Sequence, residues 1–171
     1  MKRSGVKHYR GAKSAKGRSF GIVVSRFNEY LTDQLLKSAL ETFKAQGAGA
    51  KKVHVAHVPG AFEVPLAVQK LIRLVKPDAV LTLSVVIRGK TKHFDQVVTQ
   101  CAKGVRELSM KTDVPVILGM ISAEDPADAV ERVGRDKMNK GREWAQSTIE
   151  MANLFRHRRT RLRRAKIGKK K

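Results

Sequence analysis

Four short apolar runs, each followed by a segment with helical periodicity, constrain the fold of this chain more than any other feature. The runs are rich in β-branched residues and cover residues 20–25, 52–58, 79–87 and 114–121. The segments between them carry apolar side chains on one helical face and predict helices over about 31–46, 64–75 and 93–110. Strands that are apolar along their length and alternate with helices are typical of a parallel sheet covered on both faces. The sequence therefore predicts an α/β, three-layer fold with a four-stranded parallel sheet flanked by helices on both faces.

Two more helices are predicted after the fourth run, over 126–133 and 142–156, with Gly134 and Gly141 as breaks between them. A length of 171 residues suits one domain with a full core, and no internal repeat is visible. No apolar run approaches the roughly 20 residues of a membrane span, and the N-terminus lacks the apolar stretch of a secretory signal. We therefore expect a cytoplasmic protein without a membrane segment.

Cys101 is the one cysteine of the chain and cannot form an internal disulfide. This usage fits a reducing compartment. Its place on a predicted helix, with no activating group nearby in sequence, favours a core residue over a nucleophile.

The net charge of +21 is concentrated at the two ends of the chain. Residues 1–18 hold seven Lys or Arg and residues 156–171 hold ten, with no acid in either, whereas residues 19–155 hold 19 basic and 15 acidic residues. Like-charge blocks of this kind are typical of mobile tails. We predict an N-terminal extension over 1–18, a folded domain over 19–156 and a disordered tail over 157–171. The tails could bind nucleic acid or another polyanion non-specifically, serve only as solvated extensions, or, at the N-terminus, act as a targeting peptide.

The ends of the predicted strands carry residues suited to ligand binding. In open parallel sheets, ligands settle outside the carboxyl ends of the strands. The loop after the third strand brings an arginine, a glycine, a threonine and a histidine, which suit anion binding and proton transfer. Each segment alone has an ordinary structural explanation, because a Phe after a strand often fills the core and Pro-Gly usually makes a turn. Their clustering at equivalent strand ends favours a binding site.

These motifs together resemble the lumazine synthase family of riboflavin biosynthesis. The resemblance covers about residues 19–156 and rests on Ser25-Arg26-Phe27-Asn28, Val58-Pro59-Gly60-Ala61-Phe62-Glu63-Val64-Pro65, Val86-Ile87-Arg88-Gly89 with Thr91, His93, Phe94 and Asp95, Glu131-Arg132 with Gly134, Asn139-Lys140-Gly141 with Glu143, and Glu150-Met151-Ala152-Asn153-Leu154.

The resemblance implies a flavodoxin-like sheet and a transferase reaction. The family condenses 5-amino-6-ribitylaminouracil with 3,4-dihydroxy-2-butanone 4-phosphate to give 6,7-dimethyl-8-ribityllumazine, with loss of phosphate and water. It uses no metal and no organic cofactor. Its members assemble as homopentamers, and in some of them twelve pentamers close into an icosahedral capsid.

By similarity, His93 would be the acid and base, and Phe27 would stack on the uracil ring. Ala61, Phe62 and Glu63 would hold the ribityl side, and Val86 and Ile87 would offer backbone bonds to the ring edge. Gly89, Lys90 and Thr91 would cradle the phosphate, while Leu118 stands where the family usually has an aromatic wall. Arg132, supported by Lys140 and Glu143, would reach the site from a neighbouring subunit.

Several positions depart from the family pattern, namely Lys90, Lys92, Leu118, Arg135, Asp136 and Met138. They bear on rate and affinity more than on the class of reaction. Two alternatives remain: a binding protein that keeps the fold while its basic tails hold nucleic acid or acidic cargo, and a flavin carrier. No helix-turn-helix, zinc-finger spacing or aromatic RNA-binding signature supports sequence-specific recognition.

Overall fold

A computed structural model describes residues 6–154 and contains one parallel sheet of four strands in the order β2-β1-β3-β4. The strands are β1 (Phe20–Ser25), β2 (Val53–Val58), β3 (Ala79–Ile87) and β4 (Val116–Ala123). The helices are α1 (Glu29–Ala45), α2 (Val64–Val75), α3 (His93–Thr112), α4 (Pro126–Val133) and α5 (Lys140–Leu154). The predicted α/β fold with a four-stranded parallel sheet is confirmed.

Each face of the sheet buries its own hydrophobic core. In β1, Ile22 and Val24 pack with residues of α1, α4 and α5, whereas Val23 packs with α2 and α3 on the other face. This alternation follows from the two-residue period of a strand. The result is three layers, with α1, α4 and α5 on one side and α2 and α3 on the other.

Two predicted boundaries differ from the structure for reasons of packing. The fourth strand is two residues later than predicted, because pairing with β3 begins at Val116 and continues to Ala123. Val114 lies before the strand but is buried, so an apolar residue at this position indicates a place in the core and not a strand pair.

Gly141 was predicted as a break but lies inside α5. A side chain at Gly141 would meet the backbone oxygen of Leu35 at 2.5 Å. This glycine therefore allows α5 to approach α1 closely.

Part of the predicted N-terminal extension packs on the domain. Ala15 is fully buried and its backbone N–H donates to the Gln46 carbonyl at 2.9 Å. The Asn153 side chain donates to the carbonyls of Ala12 and Ser14, each at 2.9 Å. The expectation of a mobile extension is therefore wrong for residues 11–18, whereas the predicted tail over 157–171 lies outside the described residues.

Within residues 6–154, no helix combines the length and the apolar character needed to cross a membrane.

Candidate functional site

The candidate site lies where β1 and β3 meet at their carboxyl ends. β2 and β4 lie on opposite sides of this central pair, so the chain changes direction in the sheet between β1 and β3. Such a switch point opens a crevice, because the loops after the two strands diverge to opposite faces. Here α1 follows β1 on one face and α3 follows β3 on the other.

Backbone and side-chain hydrogen bonds hold the strand-end loops together. Arg26 N–H donates to the Val58 carbonyl at 2.8 Å, and Phe27 N–H donates to the Pro59 carbonyl at 3.0 Å. The Asn28 side chain donates to the Val85 carbonyl at 2.9 Å. The loops after β1, β2 and β3 therefore form one connected surface, as the clustering of the motifs predicted.

The two phenylalanines of this surface are not core residues. Phe27 is 68% exposed and Phe62 is 61% exposed, whereas Phe20 and Phe43 are fully buried. Exposed rings at the mouth of a crevice offer flat apolar faces to a planar ligand. Ala61, which lies between Gly60 and Phe62, differs from Phe62 because it is buried.

Glu63 shapes the loop after β2. Its Oε2 accepts a hydrogen bond at 2.9 Å from the N–H of Gly60, across the short 3-10 turn Ala61–Glu63. This turn packs against α3, which brings Glu63 and its loop beside the loop after β3.

One side of β3 is free of strand partners near the crevice. Pairing with β1 ends at Leu83, whereas pairing with β4 continues to Ile87. On the β1 side beyond Leu83, the Val85 carbonyl is occupied by Asn28. Ile87 is half-buried there and can present its backbone groups to a bound molecule. The backbone groups of Val86 point toward β4 instead, because they alternate along a strand and the next-but-one N–H, that of Arg88, donates to the Ala123 carbonyl at 2.9 Å.

The loop of Gly89, Lys90 and Thr91 is exposed and leads directly into α3. A side chain at Gly89 would meet nothing within 4 Å, so the space above this backbone is open. Thr91 Oγ1 accepts a hydrogen bond at 3.4 Å from the N–H of His93, the first residue of the helix. Free amides at the start of a 20-residue helix and two lysines nearby favour an anion.

Arg88 is held by protein groups and is not free for an anion. It donates two hydrogen bonds to Asp95, at 3.0 and 3.1 Å, and one to Glu124 at 2.6 Å. Its guanidinium lies 4.1 Å from the centre of the Phe94 ring. Arg88 therefore ties the loop after β3 to α3 and to the end of β4, a role that sequence reasoning missed. The partner Glu124 follows β4 and is remote in sequence.

The pKa values of Arg88 and Asp95 shift in the directions expected for an ion pair. Hydrogen bonds from Arg88 lower the pKa of Asp95 below its ordinary value. The bonds to Asp95 and Glu124 in turn raise the pKa of Arg88. Both side chains thus stay charged throughout the neutral range.

The other predicted site residues do not join the crevice of the same chain. Arg132 lies on α4 and Lys140 and Glu143 lie on α5, both on the face of the sheet opposite α3. Arg132 contacts the Asp128 carboxylate at 3.2 Å, and Lys140 Nζ lies 2.7 Å from Glu143 Oε2.

Leu118 also lies away from the strand end. It pairs with Thr82 in the middle of β4, four residues before Ser122, which is roughly 13 Å along a strand. The fourth strand was predicted to end at Ile121, and pairing with β3 extends it to Ala123, so Leu118 lies farther from the strand end than its sequence position suggested. Leu118 therefore lies outside the crevice of its own chain.

Cys101 is buried, as predicted, and burial raises the pKa of its thiol to about 11. A protonated thiol in the core is a poor nucleophile. Among residues 6–154, no group of three or more His, Cys, Asp or Glu side chains could hold a metal ion.

Fold and site together define a parallel α/β protein with an open strand-end crevice. The crevice combines exposed aromatic faces, an open glycine loop at the start of α3 and a histidine. The family described as 6,7-dimethyl-8-ribityllumazine synthase matches residues 17–156. Two proteins of that name, from two strains of Clostridium kluyveri, are each 44% identical over 151 residues, which cover 88% of this chain and 98% of theirs. The chain belongs to the 6,7-dimethyl-8-ribityllumazine synthase family.

Proposed function

We propose that this protein condenses 5-amino-6-ribitylaminouracil with 3,4-dihydroxy-2-butanone 4-phosphate to form 6,7-dimethyl-8-ribityllumazine. Family membership over 17–156 is the observation that carries this function. It makes the protein a transferase of riboflavin biosynthesis. The strand-end crevice is the part of the described structure in which we place the reaction.

Phe27 stacks on the uracil ring in this proposal. Its exposed ring stands at the mouth of the crevice, and its backbone is fixed by the bond to Pro59. Ile87 supplies backbone bonds to the ring edge, since the β1 side of β3 is free beyond Leu83. Phe62, Glu63 and the backbone of Ala61 lie on the ribityl side, where carboxylate and amide groups can bind hydroxyls.

The phosphate of the second substrate binds to the loop before α3. Gly89 leaves room for close approach, and the amides of Lys90 and Thr91 lie next to the helix N-terminus. The exposed ammonium groups of Lys90 and Lys92 strengthen binding of a doubly charged phosphate.

His93 transfers protons during imine formation, loss of phosphate and ring closure. Its exposed imidazole starts α3 beside the phosphate loop, so a substrate anchored by its phosphate brings the reacting carbons near it. Histidine suits these steps because its ordinary pKa lies near neutrality.

A second copy of the chain completes the site. Four of the predicted site residues lie away from the crevice of their own chain. Arg132, Lys140 and Glu143 lie on helices of the face opposite α3, and Leu118 lies too far back along β4. A head-to-tail contact between copies would bring them to a neighbouring crevice, and repetition of that contact closes a ring. We infer a homopentamer, either alone or as one of twelve pentamers in an icosahedral capsid.

The direct test is to mix the purified protein with both substrates and to follow the absorbance and fluorescence of the lumazine together with release of inorganic phosphate. Omitting the protein or either substrate provides the controls. Formation of lumazine with one phosphate per product supports the proposal. Tight binding of both substrates without product would favour the alternative of a binding protein that retains the fold.

A further inference from the structure

The edge at which the four strands begin, opposite the candidate site, collects basic side chains. Helices α1, α2 and α3 each follow the carboxyl end of a strand and run back, so their last turns and the loops after them lie at this edge. These parts carry six exposed cations: Lys44, Lys51, Lys52, Arg73, Lys76 and Lys111.

The N-terminal segment is fixed to the same edge. Besides the bonds of Ala15 and Asn153, Arg18 contacts Asp78, which immediately precedes β3, at 3.5 Å. Arg18 Nε also donates to Asn153 Oδ1 at 2.9 Å, near the end of α5. The segment adds four exposed cations: Lys7, Arg10, Lys13 and Lys16.

We define the basic edge as residues 6–19, 44–52, 73–78 and 109–115. Its acidic residues are Asp78, which pairs with buried Arg18, and Asp113. Within the part of the chain that the structure describes, none of its ten exposed cations takes part in an ion pair. The described part of α5 reaches this edge at Leu154, and the sequence beyond it holds ten Lys or Arg in 156–171. A surface of this kind attracts polyanions strongly.

We propose that the basic edge binds single-stranded nucleic acid. The cations contact backbone phosphates, and Tyr9, which is 72% exposed between His8 and Arg10, stacks on a base. Stacking on a lone ring requires an unstacked base and therefore favours a single strand over a duplex. Residues 6–18 form no helix, so this segment does not present the amphipathic helix that typically lies on a membrane surface.

The location separates this activity from catalysis. The basic edge and the candidate site lie at opposite ends of the same strands, so a bound strand leaves the crevice open. Assembly of copies would present many such edges and raise the overall affinity through avidity.

Binding is tested with the full-length protein and a fluorescein-labelled 20-nucleotide oligouridine, followed by fluorescence anisotropy between 50 and 200 mM salt. We expect affinity to fall steeply with salt. The triple variant K7Q/R10Q/K13Q should lower the slope of log K against log salt by about 0.7 for each phosphate that is no longer neutralised. The matched control K37Q/K70Q/K103Q removes the same charge from exposed mid-helix lysines and should keep the slope.

Two further variants identify the ligand and the contribution of the C-terminus. Tyr9→Ala should weaken oligouridine binding about 5- to 150-fold, and Tyr9→Trp should restore it. Deletion of residues 158–171 should weaken binding and leave lumazine formation unchanged, since every proposed site residue lies before this segment.

Four results would overturn the proposal. The first is absence of binding at 50 mM salt, and the second is an equal loss of affinity in the two triple variants. The third is binding of oligoglutamate as tight as that of oligouridine, with no effect of Tyr9→Ala. The fourth is binding of anionic lipid vesicles without binding of oligouridine. The third result would assign the edge to an acidic protein and the fourth to a membrane surface.

Discussion

At the scale of single residues, Arg88 and His93 follow β3 within five residues of each other but differ in how many contacts hold their side chains. Arg88 donates three hydrogen bonds to carboxylates and lies on Phe94. The His93 side chain is exposed and makes no side-chain hydrogen bond in the described structure. The first side chain holds the loop in place, which leaves the second available to a substrate.

Replacing His93 should remove proton transfer while leaving the fold intact. We expect His93→Ala to slow lumazine formation roughly 10- to 10⁴-fold, with residual turnover because the site still brings both substrates together. Steady-state kinetics measures the loss, and sedimentation checks assembly. His54→Ala is the control, because His54 lies near the start of β2, far from the crevice. An unchanged rate across neutral pH would exclude this role.

The pair of Arg88 and Asp95 should give a measurable dependence on pH. Because Arg88 lowers the pKa of Asp95 in the folded protein, the pair stabilises the fold above the ordinary aspartate pKa of about 4. This contribution is lost as pH falls through the lower, folded value. Arg88→Ala should therefore raise the Asp95 pKa toward about 4 in a carboxyl NMR titration.

The melting temperature provides a second readout for this pair. Arg88→Ala should lower it more at pH 7 than at about pH 2, by a small amount since both groups are solvent-accessible. Arg106→Ala is the control. It removes an exposed arginine from α3, the helix that carries Asp95, and should not move the Asp95 pKa. If Asp95 titrated identically in both variants, the hydrogen bonds to Arg88 would not be the cause of its shift.

At the scale of elements, the close contact between α1 and α5 depends on glycine at position 141, which has no side chain to separate the two helices. Gly141 is buried at the start of α5, against the backbone of Leu35. Glycine in a helix costs about 1 kcal/mol relative to alanine, so its presence there is explained by packing and not by propensity.

Gly141→Ala should therefore destabilise the protein despite the better helix propensity of alanine. Separation of α1 from α5 should cost about 1–3 kcal/mol, measured by urea unfolding. Gly89→Ala is the matched control, because a side chain there meets open space and the unfolding free energy should stay equal or rise slightly. Equal stability of both variants would show that α5 can shift without cost.

At the scale of the whole molecule, one chain provides two separate parts of the proposed site. His93 lies at the crevice, whereas Arg132 lies on the other face of the sheet. The proposed function therefore requires that a copy lends Arg132 to its neighbour. Mixed assemblies of inactive variants distinguish this arrangement from a site within one chain.

His93→Ala and Arg132→Ala should each lose most activity alone and recover part of it when co-expressed in equal amounts. Random assembly pairs an intact His93 with an intact Arg132 at about a quarter of the contacts between copies, so about a quarter of wild-type activity is expected. Mixing the separately assembled variants without exchange is the control and should give no recovery. No recovery in co-assembled protein would place the site within a single chain.

The sequence by itself determined the class of fold and which strand-end loops meet at the crevice. The bounds of β1, β3, α2 and α4 agree with the structure, because their hydrophobic periodicity and flanking residues are local signals. The strand-end motifs likewise identified Phe27, Glu63 and His93 as one cluster, since parallel strands place their carboxyl ends at one edge.

Tertiary structure decided what depends on contacts remote in sequence. The start of β4 depends on pairing with β3, the place of Gly141 inside α5 depends on Leu35, and the role of Arg88 depends on Glu124. The charge of residues 11–18 alone predicts a mobile tail. In the structure, the Asn153 side chain donates hydrogen bonds to the carbonyls of Ala12 and Ser14. Local patterns carry propensity and burial, whereas pairing partners, close approach and satisfaction of polar groups exist only once the chain has folded.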